Sequence, residues 1–99
     1  MKVVYDILAT ADLVEILEYL EPQELDRAEK FLLDYRKALK RIVSFPRAWP
    51  KVGRGVRVKI VSKRFMFGIY YKLTKTEIQI GAILHLARGS KAWKRRFRK

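Results

Sequence analysis

Between residues 44 and 55 the apolar period of this chain changes, and that change constrains the fold more than any other feature. Before it, apolar residues recur at helical spacing. Leu13, Ile16, Leu17 and Leu20 fall at i, i+3, i+4 and i+7, and Leu25, Ala28, Phe31, Leu32, Tyr35, Leu39 and Ile42 carry the pattern on to about Ser44. After it the period is two, and "VRVKIV" (56–61), "FMFGIYYKL" (65–73) and "IQIGAILH" (78–85) read as three strands. The intervening "SFPRAWPKVGRG" contains Pro46, Pro50, Gly53 and Gly55 with no period, which predicts a loop. Ahead of the helices, "KVVYDIL" (2–8) is β-branched and aromatic and predicts a strand, with Thr10 as the N-cap of the first helix. Pro22 ends the first helix and opens the second, since proline suits a first helical position and disfavours helix in the residue before it. "TKTE" (74–77) joins the last two strands as a tight turn. The order β-α-α-β-β-β predicts an α+β, two-layer architecture. A helix hairpin packs on a mainly antiparallel sheet, one domain spans 1–99, and a short basic helix or tail closes it.

Alternation within the strands separates the sheet faces, because successive side chains point to opposite sides. Val56, Val58 and Ile60; Phe65, Phe67, Ile69, Tyr71 and Leu73; and Ile78, Ile80, Ala82 and Leu84 form apolar classes expected to meet the helices. With an unbroken register, the opposite classes place Arg57, Lys59, Tyr70, Lys72 and His85 together on an open face, with Gly68 and Gly81 leaving a shallow hollow. Three readings of that face stay open. It binds phosphate or an acidic partner; it cleaves RNA, with His85 as acid or base and Arg57, Lys59 or Arg64 stabilising the phosphorane; or it is simply solvated.

Charge favours a polyanionic or acidic partner. The formal net charge is +13 and it is unevenly placed: residues 1–34 hold nine acids against three bases, and residues 35–99 hold twenty bases against Glu77 alone. A body this cationic repels itself unless something anionic screens it. In "KAWKRRFRK" the expectation is an amphipathic helix with Trp93 docked on the body and Arg95, Arg96 and Arg98 outward. Trp49, between two prolines in a basic loop, either packs on the body or stacks on a partner.

Several chemistries are excluded or disfavoured. There is no cysteine and only one histidine, so no thiolate or histidine-built metal site and no cofactor is expected. Asp6, Asp12 and Glu15 near a helix start suit the helix dipole better than a metal pair. Ser44, Ser62 and Ser90 have only His85 to share, and no glycine-rich phosphate loop precedes a helix. No apolar run of about 18 residues occurs, and "MKVVYDILATAD" lacks a signal-peptide core, so a soluble cytoplasmic chain with no membrane partner is expected.

Taken together, "ATADLVEILEYL", "FPRAWPKVGRGVRVKIVSKRFMFGIYYKL" and "IQIGAILHLARGSKAWKRR" resemble the RelE/ParE superfamily of bacterial and archaeal toxins over residues 2–96. The most specific parts are Arg57 opening its strand, the "RF-x-F-x-I-YY" strand (64–71), and "LH-x-x-R" followed by "W-K-x-R" (84–96). The resemblance implies a toxin of a type II toxin-antitoxin pair, wrapped and neutralised by a cognate antitoxin in a hetero-oligomer. ParE-like members of that superfamily poison DNA gyrase without being nucleases, whereas RelE-like members cut mRNA on the ribosome. The end of the last strand looks ParE-like, because His85 is followed by Leu86 and Ala87 and no tyrosine follows Tyr71. Arg57, Lys59 and Arg64 nonetheless match positions where the nuclease branch carries phosphate-binding cations. The expectation is therefore a non-enzymatic toxin that binds its target through Arg57, Lys59, Arg64, Tyr70, Lys72, His85, Arg88, Trp93, Arg95 and Arg96. An mRNA endoribonuclease using His85, Arg57, Lys59 and Arg64 is the alternative, and a non-toxic nucleic-acid-binding module is a third reading.

Overall fold

In the computed structural model, which describes residues 1–97, the first strand is shorter than the sequence predicts. β1 spans Lys2–Tyr5 and gives way at Asp6, whose carboxylate accepts from the Leu8 N–H at 2.8 Å and caps α1, Ile7–Leu20. Asp6 therefore takes the role expected of Thr10, which lies one turn inside the helix. A carboxylate with extended backbone satisfies an orphan first-turn N–H at least as well as a threonine hydroxyl. The second helix starts later than Pro22. Residues 21–26 form turns, and Asp26, in the left-handed region at φ 69°, interrupts the helical path before α2 begins, Arg27–Ser44.

The loop expected at 44–55 contains a short strand, β2 (Lys51–Gly53), paired antiparallel with β3 (Val56–Ile60). Arg54 and Gly55 both have positive φ, 55° and 75°, the backbone that a two-residue hairpin turn requires. β4 (Phe67–Leu73) and β5 (Glu77–His85) complete an antiparallel meander, and β1 adds to β5 in parallel, giving the order β1-β5-β4-β3-β2. A 3₁₀ turn, Leu86–Arg88, leads to α3, Ser90–Arg96. The α+β class, the helix hairpin on the sheet and the short basic C-terminal helix are as expected. Arg98, expected to point outward from the tail, lies outside the described residues.

Two apolar clusters lie on opposite faces of the sheet. The larger, under the hairpin, gathers Ile16, Leu20, Phe31, Tyr35 and Ile42 from the helices with Ile69, Tyr71, Ile78, Ile80 and Ile83 from the sheet. The smaller gathers Val56, Tyr70, Ala82 and Leu84 beneath Trp93, with Val58, Ala92 and Phe97 packed on it. The face expected to be open is thus covered in part by α3 and Phe97.

This second cluster overturns the expected assignment of faces in two strands. In β5, Tyr71 pairs with Ile80 while Tyr70 pairs with Ala82, so Gly81 is an extra, bulged residue. Beyond it the faces exchange: Ile83 and His85 point to the hairpin side, and Ala82 and Leu84 point to α3. In β3 the valines face α3, whereas Arg57 and Lys59, opposite Tyr71 and Ile69, lie on the hairpin side. With both faces apolar, the polarity of a strand residue no longer reports its direction. The hollow expected at Gly68 and Gly81 is filled. A Cβ on Gly81 would overlap the Phe97 ring, and one on Gly68 would press on Val58, Tyr70 and Leu86.

No helix among the described residues is long and apolar enough to cross a membrane.

Candidate functional site

The cations named from the sequence are distributed over four places. At the C-terminal end of α2, Arg57 donates to the carbonyls of Arg47 (3.0 Å) and Trp49 (2.8 Å), and the Tyr71 hydroxyl donates to Pro46 (2.7 Å). Together they clasp the 45–50 loop onto β3 and β4. Trp49 then lies under two cations, with Lys59 Nζ 4.4 Å and Arg41 Cζ 5.6 Å from its ring centroid. Burial, and secondarily the Arg41 charge, lower the Lys59 pKa from its ordinary value. No carboxylate pairs with this corner among the described residues, whose ion pairs are Arg27–Glu24, Arg64–Asp34 and Arg96–Asp12.

His85 lies elsewhere. It ends β5, its ring meets Phe67 edge-on at 5.2 Å between centroids, and its Nδ1 accepts from the Ala87 N–H at 3.1 Å, which caps the 3₁₀ turn. It lines a cleft of about 410 Å³ with Glu15, Tyr19, Phe67 and Arg88. The row carrying His85 and Phe67 is followed on the same face by Ile83, Ile69 and Lys59, so two strand spacings and one row separate His85 from Lys59. At about 4.8 Å per strand spacing that is roughly 10 Å sideways alone, and buried Phe31 and Ile69 occupy the hairpin side of the sheet. His85, Arg57 and Lys59 share a face, but it is the hairpin side rather than the expected open face with Tyr70 and Lys72, and they do not share a site.

Arg64 forms a two-pronged pair with Asp34 of α2, at 2.8 and 3.1 Å, and this guanidinium holds the Asp34 carboxyl below its usual pKa. Arg96 is also committed. Its two terminal nitrogens reach Asp12 at 2.7 and 2.8 Å, and Asp12 in turn accepts from the Ile83 N–H at 2.9 Å. Asp12, expected only to complement the helix dipole, is buried and stitches α1, the edge of β5 beyond β1, and α3 together. Tyr70 and Trp93, both buried, stack at 6.2 Å and build the smaller cluster. Lys72 lies opposite Gln79 on the α3 side of the sheet, near Asp6, Arg96 and Phe97.

The remaining expected residues, Arg88 and Arg95, do come together, and they are joined by Arg54, Lys91 and Lys94, which are not among the expected site residues. Arg54, at the tip of the β2–β3 hairpin, donates to the Lys94 carbonyl at 3.5 Å. Two adjoining clefts, of about 180 and 320 Å³, are lined by Arg54, Lys91, Lys94 and Arg95 and by Arg88, Lys91, Ala92, Arg95 and Arg96. Spacings of three and four within "KAWKRR" already put Lys91, Lys94 and Arg95 on one helical side. Arg54 carried no such signal, because its partner is 40 residues away. Among the described residues no group of three His, Asp or Glu side chains is placed to hold a metal ion.

Fold and site together define a small, strongly basic α+β protein whose cations are divided between structural pairs and an unpaired surface. No family model and no curated protein matches the sequence. Among solved structures, the chain is similar to one described as "Chromosomal ParDE TA system from P. aeruginosa", with a TM-score of 0.63 and 23% identity over 86% of this chain and 95% of that one. The two share a fold.

Proposed function

We propose that this protein is the toxin of a type II toxin-antitoxin pair, neutralised by a cognate antitoxin, and that it acts in the ParE manner by binding and inhibiting DNA gyrase. The fold shared with a chain of a ParDE system supports the toxin class. One observation carries the choice of mechanism: His85, the chain's single imidazole, stands on the far side of packed apolar residues from Arg57 and Lys59 and spends Nδ1 on a backbone N–H. General acid–base catalysis needs the proton-transfer group within hydrogen-bond reach of the atoms that the cations hold. A target gripped by surface contacts has no such requirement.

The endoribonuclease reading retains one observation of its own. Lys59, with its lowered pKa beside Arg41 and Arg57, is a cationic corner free of carboxylates among the described residues, suited to a phosphate. Induced expression separates the two readings. Gyrase poisoning gives supercoiling defects and double-strand breaks while mRNA stays intact, and relief on co-expression of the neighbouring gene identifies the antitoxin. Early mRNA cleavage overturns the gyrase reading in favour of the nuclease. Unimpaired growth without the neighbouring gene overturns the toxin assignment itself.

A further inference from the structure

The β2–β3 hairpin tip and α3 together form a patch of unpaired positive charge. Arg54, Arg88, Lys91, Lys94 and Arg95 are all exposed, and none pairs with a carboxylate among those residues. Arg96, the one cation of α3 that is paired, anchors the helix from below through Asp12, and buried Trp93 anchors it to the sheet. Gly53 lets the Trp93 ring come close to β2, where a Cβ would stand 3.3 Å from it, and the Arg54–Lys94 hydrogen bond joins the hairpin tip to the helix. The five charges are therefore carried on a braced frame. Five like charges side by side repel one another, and an anionic ligand relieves that repulsion.

We propose that this patch binds the sugar-phosphate backbone of double-stranded nucleic acid, independently of sequence. Two features choose a duplex backbone over other anions. The patch presents no exposed aromatic ring among the described residues, since Trp93 and Tyr70 are buried beneath it, so it lacks the stacking platform by which unpaired bases are held. Its two clefts also offer no apolar seat for the hydrophobic side chains that an acidic peptide would bring, since among the described residues the only apolar side chain lining them is Ala92. The apolar cleft that borders the patch at Arg88 carries Asp12 and Glu15, whose charge disfavours an acidic chain. For its biological use the proposal rests on the toxin reading, because gyrase works on duplex DNA. The binding itself is measurable without toxicity.

The test is fluorescence anisotropy of the full chain against a labelled 20-base-pair DNA duplex of arbitrary sequence, from 50 to 200 mM NaCl. If four of the five cations reach phosphates, log K falls with log salt at a slope of about −3.6, so affinity drops on the order of 10²-fold over that range. Replacing three of the five, Lys91→Gln with Lys94→Gln and Arg95→Gln, leaves one or two phosphate contacts and should flatten the slope to between about −0.9 and about −1.8, a loss of only about three- to twelve-fold. A matched variant with Lys37→Gln, Lys40→Gln and Lys75→Gln removes the same charge away from the patch and should leave the slope near the original. Equal flattening by both variants overturns the patch in favour of diffuse attraction by net charge. Tighter binding to the single strand than to the duplex, or to a glutamate-rich peptide of equal charge, overturns the choice of ligand. A chain that binds DNA as described but does not arrest growth refutes the toxin reading and leaves this proposal standing. Arrest without duplex binding does the reverse.

Discussion

Asp12, Gly81 and His85 show how single positions set this architecture. Asp12 is the one buried charged residue among those described, held by Arg96 and by the Ile83 N–H. Removing one partner of a buried pair strands the other, so Asp12→Ala should cost about 2–3 kcal/mol, and Asp12→Asn, which keeps an acceptor for Ile83, roughly half that. Urea unfolding gives the totals, and amide exchange should show α3 loosening before the sheet. At Gly81 the strain of a methyl group falls on the Phe97 ring. Gly81→Ala should therefore cost about 1–3 kcal/mol, as overpacking does, and much of that should vanish when Phe97→Ala is combined with it. Additive costs would place the strain in the bulge itself. For His85, which caps a turn and touches Phe67, His85→Ala should leave growth arrest largely intact on the gyrase reading. Were the residue an acid–base group, mRNA cleavage would fall by about 10²-fold or more.

Among the elements, β1 and α2 are tied by a hydrogen bond between the hydroxyls of Tyr5 and Tyr35. Burial is the main cause raising the pKa of both, and it also raises those of Tyr70 and Tyr71. A folded pKa above the unfolded value near 10 means that the native state keeps protons the unfolded chain gives up. Stability is undiminished below pH 10 and declines as pH rises beyond it. The tyrosinate absorbance of these four should consequently appear together with loss of helical circular dichroism; their ionisation ahead of unfolding would contradict this. The elements themselves were largely legible in the sequence. The helical period named the hairpin, and alternation named β3, β4 and β5. What alternation could not give was direction. Ala82 and Leu84 look like core residues, and they are, but of the α3 cluster rather than the hairpin cluster. Since α3 makes the second face apolar, and the bulge at Gly81 moves the remainder of β5 by one residue, only tertiary contacts decide which side Arg57, Lys59 and His85 occupy. The same holds for Arg96, whose partner is 84 residues distant.

For the molecule as a whole, the net charge of +13 and the three ion pairs among the described residues act in opposite directions as salt is added. Screening weakens attraction within exposed pairs, and exposed pairs contribute only about 0–1 kcal/mol each. Arg27–Glu24 and Arg64–Asp34 are of this kind, while Asp12–Arg96 is shielded from ions by its burial. Screening equally weakens repulsion among twenty bases confined to residues 35–99, where Glu77 is the only acid. The Debye length shrinks from about 30 Å at 0.01 M to about 10 Å at 0.1 M, less than the 23 Å minor extent of the fold, so repulsion across the molecule is removed while contacts at about 3 Å largely persist. Repulsion should therefore dominate, and the thermal midpoint of the isolated chain should rise with NaCl over this range. The variant carrying glutamine at positions 91, 94 and 95 should show a smaller rise from a higher starting point, because its patch is no longer crowded with charge. A midpoint that falls with salt would mean that the native ion pairs outweigh the repulsion, and it would remove the energetic reason for the basic patch to seek an anion.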